Sequence, residues 1–127
     1  MTTVVNAGEL DLRQLLKPGD RIVFSQACGE PTTLVEALIE QGRHILGVGA
    51  FIATSFSGLF TPETAASFRL SSMGAIGQLR TMTKASALDV IPVHVSQVGP
   101  LIAAGIIPCD VAMIQVSPAD ADGNHSC

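Results

Sequence analysis

The sequence predicts an α/β fold, a mostly parallel sheet flanked by helices, and three observations support this. Short apolar runs such as Ile22-Val23-Phe24 are typical of strands that are buried on both faces. They alternate with segments whose apolar residues recur at helical spacing, such as Leu34–Ile39. Clusters of Gly, Pro, Asp and Ser separate the two kinds of segment. Strands and helices in alternation are typical of α/β domains.

The first half of the chain is predicted to form two strands, each preceded by a helix. The first helix ends at the turn residues Lys17–Asp20, and the second begins at Pro31, whose missing N–H costs nothing in a first helical turn. Gly42 is a suitable stop for the second helix. In order, the predicted elements are the helix Glu9–Leu16, the strand Arg21–Ser25, the helix Pro31–Gln41 and the strand His44–Phe51.

The second half is predicted to continue the alternation after a loop over Ala53–Pro62. Ser96 is the candidate N-cap of the last helix, and Gly105 is its stop. The predicted elements are the strand Ser67–Met73, the helix Gln78–Lys84, the strand Asp89–His94, the helix Ser96–Ala104, the strand Asp110–Val116 and the loop-like tail Ser117–Cys127. No linker interrupts the series, so residues 1–127 are predicted to form a single domain.

The composition excludes several classes of protein. Hydrophobic residues make up 47% of the 127 residues and charged residues 14%, which is too apolar for a disordered chain. So little charge for a domain of this size indicates that another domain or subunit covers part of the surface, and we expect a homo-oligomer. The net charge of −4, without a basic cluster, argues against a nucleic-acid partner.

The sequence also argues against a membrane segment, a metal site and disulfides. Its apolar stretches are well short of the ~20 residues that span a bilayer, and no signal peptide is recognisable. The Asp120-x-Asp122-Gly123 stretch does not have the spacing of a calcium loop, and we expect these aspartates to organise a turn instead. Three widely spaced cysteines indicate free thiols in a cytoplasmic protein.

Candidate site residues follow the carboxyl ends of the predicted strands, where open parallel sheets bind their ligands. We expect the loops there to converge on one ligand-binding pocket. The candidates are Ser25, Gln26, Gly29, Glu30, Pro31, His94, Ser96, Ser117, Pro118, Asp120 and Gly123.

The loop Ser25–Pro31 is the most informative of these segments. Gly29 lets the backbone approach a ligand closely, and the start of the next helix favours a negative group such as a carboxylate, a phosphate or an oxyanion. An ordinary strand-to-helix turn explains the same spacing.

The individual side chains are open to more than one interpretation. Glu30 is either a ligand group or, more simply, a carboxylate favoured by the start of a helix. Cys28 is either a nucleophile assisted by His94 or a buried thiol without a catalytic role. His94 either lines the pocket or has a structural role.

Three stretches together resemble a known family. Asp20-x-x-Val23-Phe24 followed by Gly29-x-Pro31 is similar to the first signature of CoA-transferases. The acetyl-CoA hydrolase and 4-hydroxybutyrate CoA-transferase branch resembles this chain over almost its whole length. The stretches that carry this resemblance are Pro92–Ser96 with Pro100–Ile102, and Cys109–Gly123. One departure is Ser25-Gln26-Ala27, which stands where the classic family I signature has Gly-Gly-Phe.

The resemblance implies a CoA-transferase-type domain that forms the N-terminal half of an enzyme. In this family a glutamate attacks an acyl-CoA, an enzyme-bound CoA thioester forms, and an incoming carboxylate collects the CoA. That glutamate belongs to the C-terminal half, which is absent here. The resemblance therefore implies that this chain contains no catalytic residue and that the isolated chain is inactive. It also implies that coenzyme A is a substrate and that no cofactor is tightly bound.

Three other functions fit the same residues. An acyl-CoA hydrolase differs only in letting water reach the thioester. A non-catalytic binding or assembly module would use the apolar composition for an obligate interface. A hydrolase that depends on Cys28 is the third.

Overall fold

The computed structural model describes residues 3–127, and its centre is a five-stranded sheet. The strands are β1 (Arg21–Phe24), β2 (Gly49–Phe51), β3 (Arg69–Ser72), β4 (Asp89–Val90) and β5 (Val111–Met113). They lie in the order β4-β3-β2-β1-β5, and every neighbouring pair is parallel. The predicted α/β fold with a mostly parallel sheet is confirmed.

Helices connect the strands. They are α1 (Thr32–Ala37), α2 (Pro62–Ala65), α3 (Leu79–Lys84) and α4 (Val95–Ala103). A π-helical turn over Leu38–Gly42 extends α1, so the predicted stop at Gly42 is the last residue of that turn. Short 3-10 turns occur at Ala7–Glu9, Leu12–Gln14 and Ala27–Gly29.

The two faces of the sheet pack against different helices, because successive side chains of a strand point to opposite faces. Ile22 and Ala50 belong to a large core with residues of α1 and α3, including the fully buried Val35, Leu79 and Met82. On the other face, Phe51, Ala53 and Ile107 form a smaller core with Val98, Leu101 and Ile102. The predicted flanking helices therefore cover both faces.

The predicted helix Glu9–Leu16 is wrong. The segment folds as separate 3-10 turns, and the Asp11 carboxylate accepts hydrogen bonds from the backbone and side chain of Arg13. The Gln41 side chain then replaces helical hydrogen bonds, since it accepts from Leu12 N (2.8 Å) and donates to the Leu10 carbonyl (2.9 Å). A polar contact from a distant helix overrides the local leucine pattern here.

Several element boundaries also differ from prediction. The predicted strand over residues 44–51 begins only at Gly49, because the chain turns at Gly47, whose φ is +75°. The predicted N-cap Ser96 lies inside α4, and His94 is the N-cap. Thr61 and Pro62 lie in the predicted loop, yet the Thr61 side chain caps α2 and Pro62 is its first residue.

Candidate functional site

The carboxyl edge of the sheet contains a point where the strand order reverses. The chain passes outward from β1 through β2 and β3 to β4, and then crosses by α4 to place β5 on the other side of β1. In open α/β sheets, ligands bind in the crevice at such a point. The loops that follow β1, β2 and β5 therefore define the candidate site.

The loop after β1 is tied to the end of β5 by Ser25. Its hydroxyl donates to the carbonyl of Gly29 at 2.5 Å and accepts from the backbone N–H of Gln115 at 3.4 Å. Ser25 N also donates to the Met113 carbonyl at 3.1 Å, which continues the pairing of β1 with β5. Ser25 thus holds the turn in a fixed position across the switch point.

The residue that turns this loop is Ala27, with φ +54° in the left-handed region. Such a backbone costs a non-glycine residue about 1 to 2 kcal/mol. Gly29 has no positive φ, and a Cβ there would make only ordinary contacts with Ser25 at 3.8 Å. The predicted close approach of a ligand to Gly29 remains a prediction, but the turn itself does not require glycine at that position.

Glu30 is buried, with 7% of its surface exposed, and its carboxylate points to the loop after β2. Ser55 Oγ donates to its oxygens at 3.0 and 3.2 Å, and Ser57 Oγ donates at 2.8 Å. The backbone N–H groups of Phe56 and Ser57 add longer contacts at 3.3 and 3.4 Å. The simpler sequence interpretation, a carboxylate favoured by the start of α1, stays a prediction, while the hydrogen-bond partners of Glu30 lie about 25 residues away along the chain.

An apolar cavity of about 430 Å³ opens beyond β1 and β2, beside the first turn of α4. Ser25 and Gln26 are its polar lining residues. Its apolar lining residues are Val23, Phe24, Phe51, Ala53, Val95 and Val98. The cavity thus joins two of the predicted site residues to the residue that follows His94.

His94 itself caps α4. Its Nδ1 accepts from Ser96 N at 3.3 Å and lies 2.9 Å from Ser96 Oγ. Both residues are exposed, and neither lines the cavity. Within residues 3–127, Nε2 of His94 has no hydrogen-bond partner, so this nitrogen is the ring atom that is free to meet a ligand.

A second cavity, of about 460 Å³, lies between the start of α1 and the end of β5. Its lining residues are Pro31, Thr33, Leu34, Ile114, Gln115 and Val116. Pro31 is therefore a second predicted site residue, besides Ser25, that lies close to the end of β5.

The tail residues Ser117, Pro118, Asp120 and Gly123 line neither cavity. Ser117 pairs with Ser126, because Ser117 N donates to the Ser126 carbonyl at 2.7 Å and Ser126 N donates to Ser117 Oγ at 3.0 Å. Hydrogen bonds thus link the beginning of the tail to its end. A common pocket for the tail, His94 and Gly29 remains a prediction.

Asp120 organises the turn inside this tail, as predicted. Its Oδ1 accepts from the backbone N–H of Asp122 at 2.9 Å and of Asn124 at 2.8 Å. The hydrogen bond from the Asn124 backbone is the largest influence that holds the pKa of Asp120 below its ordinary value of 3.8. Because the folded tail lowers this pKa, its order should persist above pH 3.8 and be lost as the pH falls through the lowered value.

We therefore expect the Asn124 amide resonance to shift with a midpoint below pH 3.8 in an NMR titration. The Asp120→Asn variant removes the titrating group and should show no transition at this amide. A midpoint at or above 3.8 would contradict the assignment of the turn to the ionised carboxylate.

The cysteines are exposed free thiols. The expectation that Cys28 is buried is therefore wrong, and within residues 3–127 no hydrogen bond joins it to His94.

In the part of the chain that the structure describes, no group of three or more His, Cys, Asp or Glu residues can hold a metal ion. Across the same residues, every helix is too short or too polar to cross a membrane.

The site residues that sequence reasoning missed are Ser55, Ser57 and Ala27. The sequence predicts only a loop for the Ser-rich segment after β2, although its hydroxyls are the natural donors for a buried carboxylate. Ala27 carries no sequence signal, because alanine is not a residue that favours positive φ.

A family model relates this arrangement to known proteins. The model of the acetyl-CoA hydrolase/transferase N-terminal domain matches residues 4–126. The chain belongs to this family. The resemblance found in the motifs, and the α/β class of the domain, are thereby confirmed.

Individual relatives agree with this assignment. Over 105 residues the chain is 31% identical to the 4-hydroxybutyrate coenzyme A transferase of Clostridium kluyveri, a match that covers 81% of this chain and 24% of that protein. Among solved structures, RipA from Yersinia pestis has a TM-score of 0.72 and 20% identity over 87% of this chain and 28% of RipA. A mutant form of RipA has a TM-score of 0.71 over the same shares. The two RipA structures share the fold, and the chain spans about a quarter of the length of these relatives.

Proposed function

We propose that this chain is the N-terminal part of a CoA-transferase, which moves coenzyme A between an acyl-CoA and a carboxylic acid. The observation that carries the proposal is the apolar cavity beyond β1 and β2, in a chain of the acetyl-CoA hydrolase/transferase family. Apolar walls suit an acyl group and keep water away from a thioester, while Ser25 and Gln26 offer polar groups beside it.

The reaction proceeds through a glutamyl-CoA thioester. A glutamate carboxylate attacks the acyl-CoA carbonyl and displaces the CoA thiolate, which then attacks the resulting anhydride at the glutamyl carbon and releases the acyl group as its carboxylate. The acceptor acid reverses these steps and leaves with the CoA. This chain contributes part of the acyl and CoA pocket, with coenzyme A as substrate and no tightly bound cofactor.

We assign the reacting glutamate to the second half of the enzyme. Glu30 is the glutamate nearest the candidate site, and its buried oxygens are already engaged by Ser55, Ser57 and the backbone N–H of Phe56. A carboxylate that is surrounded by donors and closed to solvent is a weak nucleophile. The other glutamates, Glu9, Glu36, Glu40 and Glu63, are exposed.

The family description covers hydrolysis as well as transfer, so an acyl-CoA hydrolase is the second candidate. The two reactions differ in the group that attacks the enzyme thioester, water or a carboxylate. Release of free CoA without an acceptor acid would identify the hydrolase.

The proposal is tested by reconstitution. The 127-residue chain alone should show no CoA transfer between an acyl-CoA and a carboxylate, and the addition of the second half of the enzyme should produce turnover. Reductive trapping of the thioester with borohydride should then modify a glutamate of the second half. Turnover by the chain alone, or trapping at Glu30, would contradict the assignment.

We place the enzyme in the cytoplasm as a homo-oligomer, because of its free thiols and its low charge.

A further inference from the structure

The Glu30 carboxylate is a buried ionisable group for which the proposed reaction has no use. With 7% of its surface exposed, it lies outside the two cavities and forms no ion pair within residues 3–127. Burial of an unpaired charge is unfavourable unless hydrogen bonds compensate for it. Two serine hydroxyls and two backbone N–H groups supply that compensation, and all of them belong to one loop, residues 55–57.

The same two loops are joined a second time at Ala27. Its N–H donates to the carbonyl of Thr54 at 2.9 Å, and Glu30 N donates to the carbonyl of Ala27 at 3.2 Å, which closes the 3-10 turn. Ala27 lies in the left-handed region with φ +54°. A strained residue of this kind persists only where its surroundings hold it, and such residues cluster at functional sites.

The strained turn directly follows Gln26, one of the two polar residues that line the apolar cavity. Gln26 lines that cavity and is the N-cap of the turn Ala27–Gly29. If the turn relaxed, the backbone between Ser25 and Glu30 would rearrange and Gln26 would move relative to the cavity. Glu30, at the other end of the turn, is the group that anchors it to the loop after β2.

We propose that Glu30 is a positioning residue, whose carboxylate clamps residues 55–57 to the loop after β1 and so holds left-handed Ala27 and the neighbouring Gln26 in place at the cavity. Glu30 touches no substrate and acts through Gln26. The functional part of this inference rests on the proposed function, whereas the clamp itself is measurable without it.

The first arm of the test is amide hydrogen exchange on the 127-residue chain. Glu30→Gln places an NH₂ group among donors, so protection of the Ala27 amide should fall at least about tenfold. Glu36→Gln makes the same change at an exposed glutamate on α1 and should leave that protection unchanged. If Glu30→Gln fails to fold, Ser57→Ala removes the 2.8 Å hydrogen bond to Glu30, together with the longer contacts of Ser57 Oγ with Leu59 N and Ser55 Oγ, and should give the same direction of change. Unchanged protection at Ala27 in the folded variant would overturn the clamp.

The second arm is turnover of the chain together with the second half of the enzyme. Glu30→Gln should lower kcat/KM about tenfold to a hundredfold, as expected for a misplaced site. Ala27→Gly in that background should restore most of the loss, because glycine adopts positive φ without strain and needs no clamp. If Glu30 had only a packing role, kcat/KM would not recover, since glycine at position 27 only adds backbone conformational freedom. Absence of recovery would therefore overturn the positioning role. Absence of turnover when the unmodified chain is combined with the second half would instead refute the proposed function, and the exchange arm would still decide the clamp.

Discussion

Replacement of Gly77 by alanine is expected to lower the free energy of unfolding by about 3 kcal/mol. Gly77 has φ +64°, and a Cβ there would lie 2.6 Å from the carbonyl oxygen of Ser55 and 3.1 Å from the ring of Phe56. The first of these neighbours is backbone, which cannot rotate away. Because Gly77 forms a parallel bridge with Ser55, the strain would also reach a hydroxyl that binds Glu30.

Gly58→Ala is the matched control for this prediction. Gly58 also has a positive φ, +72°, but a Cβ there would meet nothing within 4 Å. Only the backbone strain applies, so the loss should be about 1 kcal/mol. Urea unfolding of the two variants separates the cost of backbone strain from the cost of the steric clash. Equal losses in the free energy of unfolding would show that the close approach of Gly77 to Ser55 is absent in solution.

Leu38→Ala should destabilise the protein by a similar amount, about 3 kcal/mol, which corresponds to a fall in Tm of roughly 10 °C for a chain of this size. Leu38 is fully buried where α1 passes into its π-helical turn. It also packs closely against Gly42, where an added Cβ would lie 2.6 Å from Leu38 Cδ1. Removal of its side chain leaves a cavity in the large core that the rigid neighbouring sheet cannot fill.

Leu46→Ala deletes the same atoms where 83% of the residue is exposed. Its effect on the free energy of unfolding should stay within about 0.5 kcal/mol. Thermal unfolding followed by circular dichroism gives both values. A Leu38 variant as stable as the Leu46 variant would mean that the π-helical turn does not pack as described.

The parts of the fold that were predictable are those that local pattern determines. The apolar run Ile22–Phe24 identified β1, and the stripe that contains Val35 and Leu38 identified the buried face of α1. The leucines of residues 12–16 formed an equally good pattern and misled, because the Gln41 side chain, 29 residues away from Leu12, captures backbone groups there. In this segment the pattern identified the buried Leu12 and Leu16, but neither the 62% exposure of Leu15 nor the hydrogen bonds to Gln41.

The candidate site divides in the same way. The position of the loop after β1, at the carboxyl edge, followed from the parallel arrangement alone. The partners of Glu30 did not, since Ser55 and Ser57 are 25 and 27 residues away along the chain and lie near Glu30 because β2 pairs with β1. The left-handed Ala27 was beyond prediction for another reason, because tertiary contacts impose a conformation that alanine does not favour.

The strand order also bears on how the nascent protein matures. The outer neighbour of β1 is β5, and the contact of Arg21 N with the Asp110 carboxylate spans 89 residues. At about 5–20 residues per second, a ribosome needs several seconds to make that stretch. Throughout this interval one side of β1 exposes unsatisfied peptide groups beside an apolar run, a ready template for aggregation with other emerging chains. Slower translation would lengthen this exposure. We expect the yield of soluble protein to depend on chaperones that shield β1 until β5 has been made.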